Sequence, residues 1–310
     1  MKIRKRLGIA CAATLGLAVL LPAAYFLLAP ASLRAYVSST ATLACTKLFV
    51  EVPRGDDAHR FYVNSGYTSP NAYIAHGAGI RGFALNNSVE AAEDSLRRGF
   101  RYIEFDLQTT TDGHLVAAHS WRELREMAGM PSSEAPMSLQ EAREIAKPGL
   151  FTPATAQHIC RLLEENKDLF VVTDRVEDYE LLLREIPYPD RLIVEVVGGM
   201  KAYNRAIRAG VRYPSLSVPT AHMLDLAYRA EIPIISLRDS DFFSSPEGVE
   251  TVRKVHERGI TILLFNCSGS AYWDTPEFIK AHLGKTFSMI YSDSWGPRSI
   301  PPSNLSQDKS

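Results

Sequence analysis

The chain has 310 residues, 46% of them hydrophobic, and 34 Lys+Arg against 35 Asp+Glu leave a formal net charge of -1. That balance gives no support to nucleic-acid binding, which needs a clustered positive field. Cys11, Cys45, Cys160 and Cys267 show no C-x-x-C spacing. They suggest neither a zinc site nor a disulfide framework, with one bridge among the last three left open.

The N-terminal MKIRKR is followed by LGIACAATLGLAVLLPAAYFLLAP, residues 7–30, which carry no charge. The run exceeds the roughly 20 residues that a helix needs to cross a bilayer. It is also longer than the about 7–15-residue apolar core of a signal peptide. A single transmembrane signal anchor is therefore expected over 7–30. Residues 1–6 would stay cytoplasmic by the positive-inside tendency, placing the remainder outside the cytoplasm in a single-pass membrane protein. Ala29-Pro30-Ala31 loosely resembles a small-x-small cleavage site, so a cleaved leader and secretion form the competing reading. Residues 31–70 read as a juxtamembrane segment. Residues 296–310 have too little apolar content to pack and read as a flexible tail.

Between them, residues 71–295 alternate. Strand-like runs fall at 71–77, 101–107, 169–174, 191–197, 213–218, 233–238, 260–265 and 287–292, most of them β-branched or aromatic and apolar on both faces. Helical patterns intervene, including NSVEAAEDSLRRG, TAQHICRLLEENKD, EDYELLLREI, KAYNRAIRAG, TAHMLDLAYRAE, EGVETVRKVHERG and PEFIKAHLG. In the first of these, Asn87 is expected as N-cap, Glu90 as its capping-box partner and Gly99 as the stop. Eight strands alternating with helices is the count of a (β/α)8 TIM barrel, here preceded by the single N-terminal transmembrane helix. A doubly wound open sheet is the alternative, but no Gly-rich dinucleotide fingerprint follows any strand.

The second strand raises a question. YIEFDLQTTTDGHLVAAHSW, residues 102–121, alternates as a half-buried strand does, with Glu104 and Asp106 opposite in sense to Ile103, Phe105 and Leu107. Asp112-Gly113 signals a hairpin. If these two residues form the loop, Asp106 lies directly opposite His119, and Glu104, Asp106 and His119 share one face.

A barrel builds its site at the carboxyl ends of its strands. There the sequence places His76, Glu104 with Asp106, Asp174, Glu195, Arg238, Asn266 and Asp293. Glu104, Asp106 and Asp174 are oxygen donors with no thiolate among them, which suits a divalent cation such as Mg²⁺ or Ca²⁺. Asp174 also has a plainer reading as the cap of the following helix. His76 and His119 suit an acid/base pair near neutrality. A cation beside such a pair suits phosphodiester cleavage.

AHGAGIRG…NNSVEAAEDSLRRGFRYIEFDLQTTTDGHLVAAHSW resembles the glycerophosphodiester phosphodiesterase pattern: a His-bearing first strand, an E-x-D strand, a T-x-D-G turn and a second histidine. TPATAQHICRLLEENKDLFVVTD is similar to a bacterial subset of that family whose third strand ends in V-T-D. The resemblance implies the barrel, metal ligands at Glu104, Asp106 and Asp174, and catalytic histidines at His76 and His119. An Asp as third ligand is also a feature of the related sphingomyelinase D enzymes. Two departures touch the phosphate grip. His76 is followed by Gly77-Ala78 where the family has Arg-Gly, and Arg81 is the candidate substitute. The family's Glu-x-Lys becomes Asp174-Arg175-Val176, with no lysine and with Arg175 turned away on strict alternation. Ser120 follows the second histidine where an Asp is common.

The expected function is metal-dependent hydrolysis of a glycerophosphodiester or phospholipid head group, a small-molecule or lipid-derived substrate. Arg81, Glu195, Arg238, Asn266 and Asp293 are its candidate substrate contacts. The alternatives are attack by a substrate hydroxyl, a lyase-type cleavage giving a cyclic phosphate, and a non-catalytic barrel that binds a phosphorylated ligand.

Overall fold

The structure is a computed structural model that describes residues 71–79, 86–265 and 276–292. The run at 7–30 lies outside these residues, as do Arg81, Asn266, Cys267 and Asp293. Among the described residues no helix is long and apolar enough to cross a membrane.

All eight expected strands form. They are β1 (Tyr73–Ala75), β2 (Tyr102–Thr109), β4 (Phe170–Asp174), β5 (Leu192–Val196), β6 (Tyr213–Ser217), β7 (Ile234–Arg238), β8 (Thr261–Phe265) and β9 (Met289–Ser292). A ninth strand, β3 (Leu115–Ala117), runs antiparallel to β2. The other eight pair in parallel, and β1 bonds both β2 and β9, so the sheet closes into a barrel. The helices in chain order are α1 (Val89–Arg97), α2 (Trp121–Ala128), α3 (Leu139–Glu144), α4 (Ala156–Glu165), α5 (Tyr179–Glu185), α6 (Gly199–Ala209), α7 (Ala221–Arg229), α8 (Asp239–Phe242), α9 (Pro246–Glu257) and α10 (Pro276–His282). The observed architecture is thus the α/β barrel that the alternation predicts.

Side chains of a strand point alternately to its two faces, and that alternation separates the core from the site. Ile74, Tyr102, Val172, Ile193, Tyr213, Ile234, Leu263, Met289 and Tyr291 fill the barrel interior as one buried cluster. Two residues further along β2, β4, β5 and β7 the same inward face carries Glu104, Asp174, Glu195 and Ser236, then Asp106 and Arg238. The apolar plug ends where the polar mouth begins.

Three local expectations change. The half-buried reading of β2 is wrong, because in a closed barrel both faces are covered. Ile103, Phe105 and Leu107 are fully buried on one side, while Glu104 and Asp106, on the other, are only 3% and 6% exposed. The hairpin register is also shifted by one. Leu107 pairs with Ala117 and Thr109 with Leu115, so Ala118, not His119, faces Asp106 and donates its N–H to the Asp106 carbonyl at 2.7 Å. The loop has three residues, Thr111 to Gly113, closed by Thr110 and His114 and ending in left-handed Gly113 at φ 77°. That is the common three-residue hairpin with glycine at its left-handed position.

The cap of α1 falls one residue later than expected. Ser88 accepts from the Ala91 N–H at 3.0 Å, and Glu90 instead binds Gly149 N at 3.0 Å and Thr152 N at 2.8 Å. Gly99, at φ 90°, ends the helix as expected. Helices α2 and α3 were not among the expected segments, yet both carry a start signal. Ser120 and Ser138 cap them, each with a glutamate three residues on. Together with β3 they bury Val116, Ala118, Trp121, Leu124, Met137, Ala142 and Phe151 in a small core of their own. Cys160 is a free thiol.

Candidate active site

The turn after β1 sets one wall. Gly77 is left-handed at φ 56°, and a Cβ there would stand 2.9 Å from the Asn86 amide nitrogen. Its N–H donates to Glu104 Oε2 at 2.7 Å. The position where the family carries arginine is therefore shaped for glycine, a residue with no steric penalty at positive φ. His76 lines the cavity and meets Tyr291 edge-on, with ring centroids 5.6 Å apart.

Asn87, also left-handed at φ 59°, is not a helix cap but a brace for β2. Its amide nitrogen donates to Asp106 Oδ2 at 2.9 Å, and its carbonyl oxygen accepts the Asp106 N–H at 3.0 Å. Arg175 breaks the expected alternation in the same way. Strand β4 ends at Asp174, Arg175 takes φ 61°, and its Nε reaches Asp106 Oδ1 at 2.8 Å. The reading that turned Arg175 away is thus corrected, because strict alternation holds only while the chain stays extended. The cap of α5 is Asp178, which accepts the Leu181 N–H at 2.9 Å, so Asp174 is not spent on capping.

Carboxylate oxygens of Glu104, Asp106 and Asp174 lie within 4.8 Å of one another. Their protonation shows the strain of that crowding. Burial, together with the charges of Asp106 and Asp174, pushes Glu104 well above the usual carboxylate range. Burial and the charges of Asp106 and Glu195 push Asp174 up to about 8. Burial would raise Asp106 too, but the Asn87 amide and the Arg175 guanidinium hold it below its ordinary value. One guanidinium does not balance these acids. Asp174 Oδ1 is buried with no hydrogen-bond partner, since Arg175 Nε stops 3.7 Å away. An all-oxygen cluster with excess negative charge and an orphaned buried oxygen fits a hard divalent cation.

His119 joins this site although the register that predicted it is wrong. Beyond the end of β3 its Nε2 meets Arg175 Nη2 at 2.7 Å, and it lines the same cavity as His76. Glu195 and Arg238 line it as well. Burial raises the Glu195 carboxyl, which accepts the Tyr291 hydroxyl at 3.3 Å. Of the sequence candidates, His76, Glu104, Asp106, His119, Asp174, Glu195 and Arg238 converge on one cavity of about 740 Å³, within the usual range for a small-molecule site. Sequence reasoning missed Gly77, Asn87 and Arg175. Their shared signal is a left-handed backbone, which the Asn86-Asn87 pair hints at and Arg175 does not.

A closed (β/α)8 barrel with an acidic, two-histidine mouth is the class that fold and site define. Within it, residues 76–190 match the glycerophosphoryl diester phosphodiesterase family, and the resemblance read from the sequence stands. No protein of curated function matches the chain in sequence. Among solved structures, the chain is similar to a glycerophosphoryl diester phosphodiesterase from Parabacteroides distasonis, with TM-score 0.60 and 17% identity over 79% of this chain and 90% of that one. A glycerophosphodiester phosphodiesterase from Thermotoga maritima gives TM-score 0.58 and 14% identity over 72% and 94%. A candidate enzyme of the same kind from Galdieria sulphuraria gives 0.59 and 18% over 74% and 95%.

Proposed function

We propose that the chain is a phosphoric diester hydrolase acting on glycerophosphodiesters or phospholipid head groups. The observation that carries this reading is the convergence of Glu104, Asp106 and Asp174 within 4.8 Å of one another, in the cavity that His76 and His119 also line. The match of residues 76–190 to the phosphodiesterase family supports it.

Glu104, Asp106 and Asp174 would hold the cation. When bound, a divalent ion neutralises charge on phosphoryl oxygens and favours the ionised acids. The chain's own residues do the rest. One histidine takes a proton from the attacking hydroxyl as the new O–P bond forms, and the other gives a proton to the departing alkoxide as the old O–P bond breaks. Arg175 supplies the cationic grip that the missing family arginine and lysine would otherwise provide. It is already anchored on Asp106 at 2.8 Å and is open to the cavity, and a guanidinium matches phosphate geometry in two-pronged fashion.

The test is a phosphodiester panel assayed with Mg²⁺, Ca²⁺ or Mn²⁺. Turnover is expected with at least one ion, lost on chelation, and reduced about 100-fold or more in His76→Ala and in His119→Ala. Tight ligand binding with no turnover across the panel would favour a binding barrel instead. Label uptake from ¹⁸O water separates hydrolysis from cyclic-phosphate formation: an unlabelled first product means that a substrate hydroxyl attacked.

The uncharged run 7–30 supports a membrane-anchored, extracytoplasmic placement. Protease added to intact cells should then digest the barrel domain, and protection in intact cells would overturn this placement.

A further inference from the structure

Two carboxylates in the cavity wall, Glu123 and Glu195, are used by none of the chemistry above, and Glu123 is the one that meets a histidine. Glu123 lies on α2, four residues after His119, and its Oε2 is 3.1 Å from His119 Nδ1. Its place in the helix makes this contact unusual. Ser120 caps α2 and accepts the Glu123 N–H at 3.1 Å, the first half of a capping box. In α3 the second half is present as well, with Glu141 reaching back to the Ser138 N–H at 2.7 Å. In α2 the glutamate in the same position takes the imidazole instead.

The other side of the ring fixes its tautomer. Arg175 Nη2 stands 2.7 Å from His119 Nε2, and a guanidinium has donors only. Nε2 must therefore accept, so the neutral ring carries its proton on Nδ1, the nitrogen that lies at ion-pair distance, 3.1 Å, from the Glu123 carboxylate. The groups facing the ring are Glu123 from α2, Arg175 after β4, and the charge of Asp106 from β2, while Gln108 Nε2 holds the His119 carbonyl at 3.2 Å.

We infer that Glu123 is a positioning residue that holds His119 with its Nε2 lone pair in the cavity, as the proton acceptor of the reaction. Arg175 covers that lone pair in the resting site, and a substrate phosphate that draws the guanidinium away uncovers it. His119 Nε2 then takes the proton of the attacking hydroxyl, the resulting imidazolium is steadied by Glu123 at Nδ1, and His76 is left to protonate the leaving oxygen. The assignment of roles rests on the phosphodiesterase reading above, whereas the aim of the ring does not.

The test uses the full-length chain labelled with ¹⁵N-histidine, at a pH where the imidazole is neutral. The wild-type protein is expected to show His119 with a protonated Nδ1 and a bare Nε2. Glu123→Ala, and Glu123→Met as a variant of similar bulk, should give a mixture of tautomers. Their kcat should fall about tenfold, as is typical when the partner that orients a functional histidine is removed, with KM nearly unchanged. Glu123→Gln keeps an acceptor oxygen but not the charge that steadies the imidazolium, so it should keep the tautomer while kcat still falls. A wild-type tautomer in Glu123→Ala and Glu123→Met would overturn the inference, and so would an altered tautomer with kcat intact. If the wild-type chain turns over no diester at all, the proposed function fails, while the ¹⁵N spectra still decide what Glu123 holds.

Discussion

Asp106 and Asp174 sit side by side in the β2–β4 register and titrate in opposite directions. Asp106 has Asn87 and Arg175 to favour its charge, and its carboxyl is held low. Asp174, pushed up to about 8 by burial and like charges, is stabilised in the fold when protonated. The pH behaviour of the metal-free protein follows from these signs. The contribution of Asp174 is complete below its ordinary carboxylate value and is lost as pH rises toward about 8, and that of Glu104, raised by burial and the same neighbouring charges, is likewise lost as pH rises above its ordinary value. That of Asp106 is present above its unfolded value and is lost only as pH falls through its lowered one. A thermal melt in chelator should therefore show Tm falling from pH 5 to pH 8. Added Mg²⁺ or Ca²⁺ should raise Tm more at pH 8 than at pH 5, because binding requires ionised ligands. An ion effect independent of pH would contradict the assigned cluster. Arg175 belongs to the same balance, since it competes with a cation for Asp106. Arg175→Ala is expected to raise KM by about tenfold, the loss of one charged hydrogen bond, and to tighten divalent-ion binding in a titration.

At the scale of the element, two glycines make opposite demands. Gly113 needs a left-handed backbone at φ 77°, but a Cβ there would meet nothing within 4 Å. Gly113→Ala should cost about 1 kcal/mol in urea unfolding and leave turnover unchanged. Gly248, in α9, has an ordinary backbone, yet a Cβ there would lie 2.0 Å from the Phe242 carbonyl oxygen. Gly248→Ala must therefore displace α9 from α8, and it should destabilise more than Gly113→Ala despite its helical position. The hairpin that ends in Gly113 also shows how local signals succeed and fail. Asp112-Gly113 locates the turn, but the dipeptide does not say whether the loop has two residues or three. A shift of one residue reverses every facing pair. His119 reaches the site because β3 stops at Ala117 and the chain then turns into α2, a change of path that strand alternation does not contain.

Across the whole molecule, the eight parallel strands were legible because a barrel strand is buried on both faces and reads as a short β-branched or aromatic run. The strand ends were legible for a related reason: the apolar plug stops at a common level, and the next inward residue on several strands is acidic, as in Val172 to Asp174 and Ile193 to Glu195. By itself, then, the sequence determined the barrel, the level of its mouth, and the carboxylates and histidines gathered there. Only the tertiary structure decided how those groups are held: the left-handed turns at Gly77, Asn87 and Arg175, the guanidinium on Asp106, and the glutamate behind His119. The physical reason is that alternation and periodicity describe a chain while it stays regular, whereas these contacts form where regular backbone ends and residues distant in sequence meet.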